Sequence, residues 1–203
     1  MQGSVGPFLS ASDLACRRGD RLLFRGLSFA LTGGEALHIT GANGTGKTTL
    51  IRALAGLNTP FAGEVRREGE IGLLDERPAL DPNLTLGKAL AFWEKLDTFG
   101  DPGCQVEALG LVPLLEVPVR YLSTGQRKRA AFAVLHNWRP PIWLLDEPLS
   151  GLDHSSIEFV SRQIEAQLKA GGIALIASHQ PLVIEGLKTL AIEDFAPQPE
   201  SAE

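Results

Sequence analysis

A glycine-rich stretch in the first quarter of the chain carries the strongest chemical signal. Residues 41–48 read GANGTGKT and match the pattern G-x-x-x-x-G-K-[ST]. In such a loop, backbone N–H groups converge on phosphate oxygens and the following helix N-terminus adds partial positive charge. Lys47 is expected to contact the β- and γ-phosphates, and the Thr48 hydroxyl to ligate Mg²⁺. The predicted nucleotide-binding residues here are Gly41, Ala42, Asn43, Gly44, Thr45, Gly46, Lys47, Thr48 and Thr49.

A second signal is an apolar run that ends in two carboxylates. Residues 142–147 read IWLLDE, which indicates a buried strand with acids at its carboxyl end. Open α/β sheets place ligand-binding residues at this edge. Asp146 is expected to hold Mg²⁺, and Glu147, on the opposite side of the pleat, to orient and deprotonate an attacking water. Taken alone, the run is equally compatible with a strand that ends in solvated acids. The phosphate loop favours the catalytic interpretation.

Three further motifs follow in order along the chain. Residues 121–126 read YLSTGQ and precede a long helix, which Ser123 is well placed to cap. Residues 149–153 read LSGLD, and His179 follows the apolar run 173–177. Considered singly, these residues indicate a helix cap and a partly buried histidine. In order with the phosphate loop and the acidic strand, they closely resemble the signature, D-loop and switch histidine of ABC-type ATPases.

This resemblance implies a mechanism that needs two copies of the chain. ABC-type subunits form a head-to-tail homodimer with ATP and Mg²⁺ at the interface, where the phosphate loop of one subunit meets the signature of the other. Ser123, Gly125 and Gln126 would then bind the γ-phosphate in trans. Asp153 would couple the two sites, and His179 would help to hold the water that Glu147 activates.

A narrower resemblance concerns the family's heme-exporter branch. Four stretches of the chain resemble the ATP-binding subunit of cytochrome c maturation. They are residues 21–57, residues 76–90, YLSTGQRKRAAFAVL and PIWLLDEPLSGLD. That implies integral membrane permease partners of the CcmB and CcmC type and an indirect link to a heme chaperone. It also implies a peripheral location on the cytoplasmic face of the bacterial inner membrane, with residues 77–96 expected to face the permease. The alternatives are a subunit of another small ABC exporter and a soluble ABC ATPase module.

The sequence departs from the family pattern at three places. Arg77 stands where the family has a glutamine that touches Mg²⁺ and the membrane partner, and arginine cannot ligate a cation. The departure predicts altered hydrolysis or coupling unless Glu76 takes over. Thr124 replaces a signature glycine and therefore needs an ordinary φ. No adenine-stacking aromatic is evident near Arg17 and Arg18, whose guanidinium groups either stack on the base or are solvated.

The elements that must position these residues alternate between strands and helices. This order predicts an α/β fold, a P-loop NTPase of ABC type, with a mostly parallel core sheet and an N-terminal antiparallel β layer. We expect a single ATP-binding domain over 1–203, with a small helical subdomain at roughly 78–138 inserted in a RecA-like core. The predicted strands are 21–31, 35–40, 142–145 and 173–177, with short strand-like pieces in 65–74. The predicted helices are 48–57, 84–96, 106–115, 123–138 and 155–170.

Composition excludes several other classes of protein. The chain has 203 residues, 44% of them hydrophobic, and a formal net charge of −5, so a protein that coats nucleic acid is not expected. Two cysteines, Cys16 and Cys104, rule out a disulfide-rich scaffold. The N-terminus shows no signal-peptide pattern. The longest charge-free stretch, 170–184, is too short for a membrane helix.

Overall fold

Two β-sheets form the framework of the protein. The computed structural model describes residues 6–75, 78–96 and 106–197. The antiparallel sheet has the order β2-β1-β4, with β1 at Phe8–Arg18, β2 at Arg21–Thr32 and β4 at Ala62–Glu68. The parallel sheet has the order β5-β6-β7-β3-β8, with β3 at Ala36–Thr40, β5 at Ile71–Leu74, β6 at Ile142–Asp146, β7 at Ile173–Ala177 and β8 at Lys188–Ala191.

The central strands of the parallel sheet explain its position inside the molecule. Strands β6 and β7 read IWLLD and IALIA, and every residue in them is buried, as expected where both faces of a sheet are covered. Their register pairs Ile142 with Ile173 and Asp146 with Ala177. The carboxyl ends of β3, β6 and β7 therefore meet at one edge of the sheet, which the phosphate loop and the acidic pair share.

Helices cover both faces of this sheet. In the described part of the chain, the longer helices are α1 at Lys47–Leu54, α2 at Leu86–Leu96, α3 at Thr124–Trp138 and α4 at His154–Lys169, and residues 106–108 are also helical. Short 3-10 segments lie at Val112–Leu114, Val119–Tyr121 and Ile192–Phe195. Alternate residues of β6 enter two different cores: Leu144 packs with α1 and the antiparallel sheet, and Trp143 packs with α2, α3 and α4. Among the described residues, no helix is both long enough and apolar enough to cross a bilayer.

The predicted α/β architecture, a mostly parallel sheet beside an antiparallel layer, is confirmed. The four predicted strands are present, whereas β1 and β8 were not expected. The helix predicted at 106–115 is confirmed only at its start: residues 106–108 are helical, but Gly110 adopts a left-handed φ of 62° and a separate 3-10 segment follows it. Helix α1 ends at Leu54 rather than at residue 57, ahead of the left-handed Gly56. The division into a core and a helical subdomain at 78–138 stays a prediction.

Candidate functional site

The loop between β3 and α1 is rich in glycines with unusual backbone angles, and the N–H of Ala42 within it donates to Oε1 of Glu193 at 2.5 Å. Gly41, Gly44 and Gly46 have φ values of 152°, 84° and 112°, a region that side chains rarely adopt. Gly46 is the N-cap of α1 and no side chain caps the helix there, so the first N–H groups of α1 are left for a ligand. A Cβ on Gly46 would lie 3.1 Å from Leu23 and from Phe24. Glycine at this position thus brings the loop against β2.

Lys47 is buried within the loop that it follows. Its side chain is 5% exposed, and Nζ donates to the carbonyl oxygens of Gly41 at 2.7 Å and Ala42 at 3.2 Å. The same ammonium lies 3.5 Å from Oε1 of Glu147. The positive charge of Lys47 therefore faces Glu147, at the acidic end of β6.

The two acids of the pair lie in different backbone conformations, one inside β6 and one in the turn that follows it. Asp146 is the last residue of β6 and is 1% exposed. Glu147 lies outside the strand with a left-handed φ of 47°, and its N–H donates to the carbonyl of Ala177 at 2.7 Å. Its position relative to Asp146 is thus set by this turn, not by the pleat alternation that the sequence suggested.

The Glu147 carboxylate lies between a lysine and a histidine. Oε1 faces Lys47, and Oε2 is 2.9 Å from Nδ1 of His179. Ser178, which is fully buried, donates its hydroxyl to the same Oε2 at 3.4 Å. Lys128 of α3 donates Nζ to the Glu147 carbonyl oxygen. Ser178 and Lys128 were missed as site residues, although one adjoins His179 and the other lies in the basic run after the signature.

A cleft of about 560 Å³ opens over the loop. Its walls include the predicted loop residues Asn43, Gly44, Gly46, Lys47, Thr48 and Thr49, and also Asp146 and Glu147. Thr48 and Asp146 offer the hydroxyl and carboxylate oxygens that Mg²⁺ prefers. Within the described residues there is no cluster of three or more His, Cys, Asp and Glu side chains suited to a metal. The donors present fit a triphosphate whose own oxygens complete the Mg²⁺ shell.

The lining of this cleft includes the two arginines considered for base stacking. Arg17 and Arg18 both line it, and the Arg17 guanidinium carbon lies 5.1 Å from the ring centroid of Phe61. Phe61 is 57% exposed. The neighbouring Cys16 is buried as a free thiol, and burial raises its pKa to about 11. Base stacking by an arginine stays a prediction.

The signature residues are engaged in a helix cap. Ser123 is the N-cap of α3, and its Oγ accepts the N–H of Gln126 at 3.2 Å. In return, Oε1 of Gln126 accepts the N–H of Ser123 at 2.8 Å, which completes a capping box. Thr124 lies in the first turn of α3 with no left-handed φ, as its side chain requires.

The D-loop packs directly against the signature. A Cβ on Gly125 would lie 2.4 Å from the carbonyl oxygen of Gly151, so glycine is needed at 125 for this contact. Asp153 is the N-cap of α4, and its Oδ1 accepts the N–H of Ser156 at 2.9 Å and the hydroxyl of Ser155 at 3.1 Å. These hydrogen bonds from Ser156 and Ser155 hold the pKa of Asp153 below its usual range.

The predicted residues therefore fall into two groups. The phosphate loop, Asp146, Glu147 and His179 are brought together. Glu147 and Asn43 line both the 560 Å³ cleft and a second cleft of about 360 Å³ that is also lined by Thr124 and His179. Ser123, Gly125, Gln126 and Asp153 line neither cleft. Glu76 and Arg77 lie outside the described residues.

The amino-acid sequence is similar to a known family and to curated proteins. The family model described as ABC transporter matches residues 24–150. The cytochrome c biogenesis ATP-binding export protein CcmA of Novosphingobium aromaticivorans is 56% identical over 189 residues, covering 93% of this chain and 97% of that protein. The protein of the same name from Zymomonas mobilis is 48% identical, covering 92% of this chain and 85% of that protein.

A solved structure supports the fold. An ABC transporter ATP-binding protein from Pyrococcus furiosus superposes with a TM-score of 0.78 at 23% identity, covering 94% of this chain and all of that one. At this level of identity the likeness is evidence of the fold alone. Together with the sequence matches, it confirms the resemblance noted from the motifs. The chain belongs to the ABC transporter family and, within it, to the cytochrome c biogenesis ATP-binding export proteins called CcmA.

Proposed function

We propose that the chain is the ATP-hydrolysing subunit of an ABC-type membrane complex in c-type cytochrome biogenesis. It uses ATP binding and hydrolysis to drive heme export or release of the heme-loaded chaperone. The ATPase chemistry rests on one observation, the Glu147 carboxylate placed between Lys47 and His179 beside an open phosphate loop. The assignment to cytochrome c biogenesis rests on relatives that carry that name over nearly the whole chain.

Binding of MgATP uses the groups that line the larger cleft. Lys47, the loop N–H groups and the first turn of α1 hold the β- and γ-phosphates. The Thr48 hydroxyl and the Asp146 carboxylate hold Mg²⁺, which neutralises phosphate charge when bound. Arg17 and Arg18, which line the same cleft, would contact the base.

Proton transfer is the task of Glu147. Its Oε1 faces the Lys47 ammonium and accepts a proton from the attacking water. His179 holds Oε2 through Nδ1, which fixes the carboxylate plane. The left-handed backbone at Glu147, held by the Ala177 carbonyl, aims the side chain toward the loop. Glu147 and His179 are thus the proposed catalytic residues.

The second half of the site comes from a second copy of the chain. Ser123, Gly125 and Gln126 form the N-terminus of α3, where partial positive charge favours a phosphate. In this chain they line neither cleft, so we assign them to the site of the partner subunit. Asp153 lies beside them through the contact of Gly151 with Gly125, and it links the two sites of the homodimer.

The permease subunits, of the CcmB and CcmC type, dock on the region of α2. Phe92 on this helix is 55% exposed, and Trp93 lines a small apolar groove of about 70 Å³ together with Trp138. An exposed aromatic residue beside an apolar groove suits a helix from a membrane subunit. This docking places the chain peripherally on the cytoplasmic face of the inner membrane, with the heme chaperone contacted indirectly.

A pull-down tests this proposal. Tagged Glu147→Gln protein, loaded with ATP, is incubated with detergent-solubilised membranes, and mass spectrometry identifies what it retains. Small polytopic subunits together with a heme-binding chaperone would support the proposal. A different permease would keep the ABC mechanism and discard the heme assignment, and the absence of any membrane protein would favour a soluble module.

Two surface variants locate the docking region in the same assay. Phe92→Asp should abolish retention of the permease. Val112→Asp, which alters a side chain of similar exposure (53%), should leave retention intact. If Phe92→Asp retains the permease as well as Val112→Asp does, α2 is not part of the docking surface.

A further inference from the structure

A buried histidine lies in the strand that leads to the phosphate loop. His38 is in β3 and is 5% exposed. It is flanked by Ile176 of β7 on one side and by Thr189 of β8 on the other. A polar ring in the middle of a covered sheet needs a hydrogen-bond partner to offset the cost of its burial.

That partner belongs to the loop that carries the switch histidine. Nε2 of His38 lies 3.2 Å from the carbonyl oxygen of Ser178. A carbonyl oxygen only accepts hydrogen bonds, so the proton is on Nε2. Burial lowers the pKa of His38, which favours a neutral ring with this proton in place.

The Ser178 carbonyl shares its peptide plane with the N–H of His179. A hydrogen bond on this carbonyl fixes the plane and hence the direction in which the His179 side chain leaves the backbone. The same serine donates its N–H to Ile39 and its hydroxyl to Glu147 Oε2. The turn after β7 is therefore attached to β3 at two points, one backbone and one side chain.

We propose that His38 is a positioning residue for the catalytic pair. It holds the Ser178 carbonyl, orients His179, and through His179 keeps Glu147 Oε2 at hydrogen-bond distance. This inference rests on the proposed function, since it acts through Glu147 and His179. It connects the strand that ends in the phosphate loop with the residues that handle the proton.

The test distinguishes the hydrogen bond from His38 to Ser178 from the packing of the His38 ring. His38→Leu has similar volume and no donor, whereas His38→Gln keeps an N–H at nearly the position of Nε2. His136→Leu is the matched control, because His136 is a half-buried histidine on α3 whose pKa burial also lowers and which lines neither cleft of the site. Steady-state ATPase kinetics give kcat and KM, and thermal unfolding reports folding.

For His38→Leu we expect kcat to fall about 10-fold, the effect of one lost hydrogen bond, with KM for ATP unchanged. His38→Gln should recover most of kcat, and His136→Leu should match the wild type. In a His179→Ala background, His38→Leu should add no further loss, because both act on the same contact. If the Leu variant does not fold, His38→Asn, whose amide is too short to reach Ser178, takes its place against His38→Gln.

The outcomes distinguish this inference from the proposal on which it rests. Wild-type kcat in His38→Leu, equal losses in the Leu and Gln variants, or an additive loss with His179→Ala would each overturn the positioning role. Undiminished turnover in Glu147→Gln would instead overturn the proposed function. A loss in Glu147→Gln combined with wild-type kcat in His38→Leu rejects the positioning role alone.

Discussion

The two halves of the predicted machinery are built in different ways. In the phosphate-loop half, polar side chains from separate elements converge: Lys47 from α1, Glu147 after β6 and His179 after β7. In the signature half, Ser123 and Asp153 cap their own helices, and their hydrogen bonds are made within three residues of sequence.

From this difference we infer which part of the site works within one chain and which part needs a second copy. The first half has a cleft lined by a basic group, two acids and the start of α1, and we propose that it binds a triphosphate within one chain. In the second half, the capping hydrogen bonds are made within the same helix. We propose that this helix N-terminus adds to catalysis only when a second copy of the chain brings a phosphate to it. The comparison predicts that damage to the first half affects chemistry, and that damage to the second half affects association.

The largest effect should come from Glu147→Gln. Removing the general base is expected to lower turnover by about 10²–10⁴-fold while ATP binding is kept, because Lys47 and the loop are unchanged. Single-turnover hydrolysis and nucleotide titration measure the two quantities. Glu158→Gln, on an exposed position of α4, is the control. Undiminished turnover would remove Glu147 from this role.

A somewhat smaller loss of turnover, about 10²-fold, is expected for Ser123→Arg, since it removes one group that stabilises charge in the partner's site. ATP binding to the monomer should stay within a factor of about two, because Ser123 lines neither cleft of its own chain. Sedimentation velocity should show that ATP no longer drives dimerisation. Normal dimerisation would contradict the division between the two halves.

A stability effect should follow from Gly125→Ala, since the added Cβ would lie 2.4 Å from the Gly151 carbonyl oxygen. Forcing the D-loop away from the signature is expected to cost about 1–3 kcal/mol of unfolding free energy. Gly6→Ala is the control, because a Cβ there meets nothing within 4 Å. Denaturant titration compares the two variants, and equal midpoints would mean that the contact gives way without cost.

The smallest expected effect is on stability and concerns the ion pair between Glu35 and Lys188, which lies outside the cleft. Lys188 and then Thr32 lower the pKa of Glu35 from 4.5 to about 2. Because the folded-state pKa is depressed, this stabilisation is present above about pH 4.5 and is lost as the pH falls through 2. Glu35→Gln should cost about 0.2–1 kcal/mol at pH 7 and close to nothing near pH 2, with ATPase kinetics unchanged at neutral pH.

Urea titrations of wild type and Glu35→Gln at several pH values measure this difference. A difference that is constant with pH would show that the carboxylate charge is not the source of the stabilisation.

Sequence reasoning performed best where one local pattern fixes both structure and chemistry. The loop at 41–48 needs its glycines for φ and its lysine for charge, and the run at 142–147 needs its apolar residues for burial, so each pattern predicted its element. Strand β8 was not predicted because KTLA is short and partly exposed. The break at Gly110 was not predicted because apolar spacing continues across it, and a left-handed glycine ends the helix regardless of that spacing.

The contacts around Glu147 depended on long-range geometry. Its aim is set by a left-handed φ and by the Ala177 carbonyl, which pleat alternation does not describe. Ser178 and His38 adjoin apolar residues in the sequence, which is a usable signal, whereas Lys128 stands in a basic run. The hydrogen-bond partners of Lys128, Ser178 and His38 lie 19, 31 and 140 residues away. Such pairings follow from the strand order β6-β7-β3, which a single sequence does not give.

Mixing two inactive variants tests the central claim most directly. Lys47→Ala disables the phosphate loop, and Ser123→Arg disables the signature. An equal mixture contains heterodimers in which the intact loop of one chain meets the intact signature of the other. Turnover should therefore recover to about a quarter of the wild-type value if all dimers form at random, and to about half if only heterodimers form. Turnover no higher than that of the separate variants would contradict the claim that the two halves act in one site across two chains.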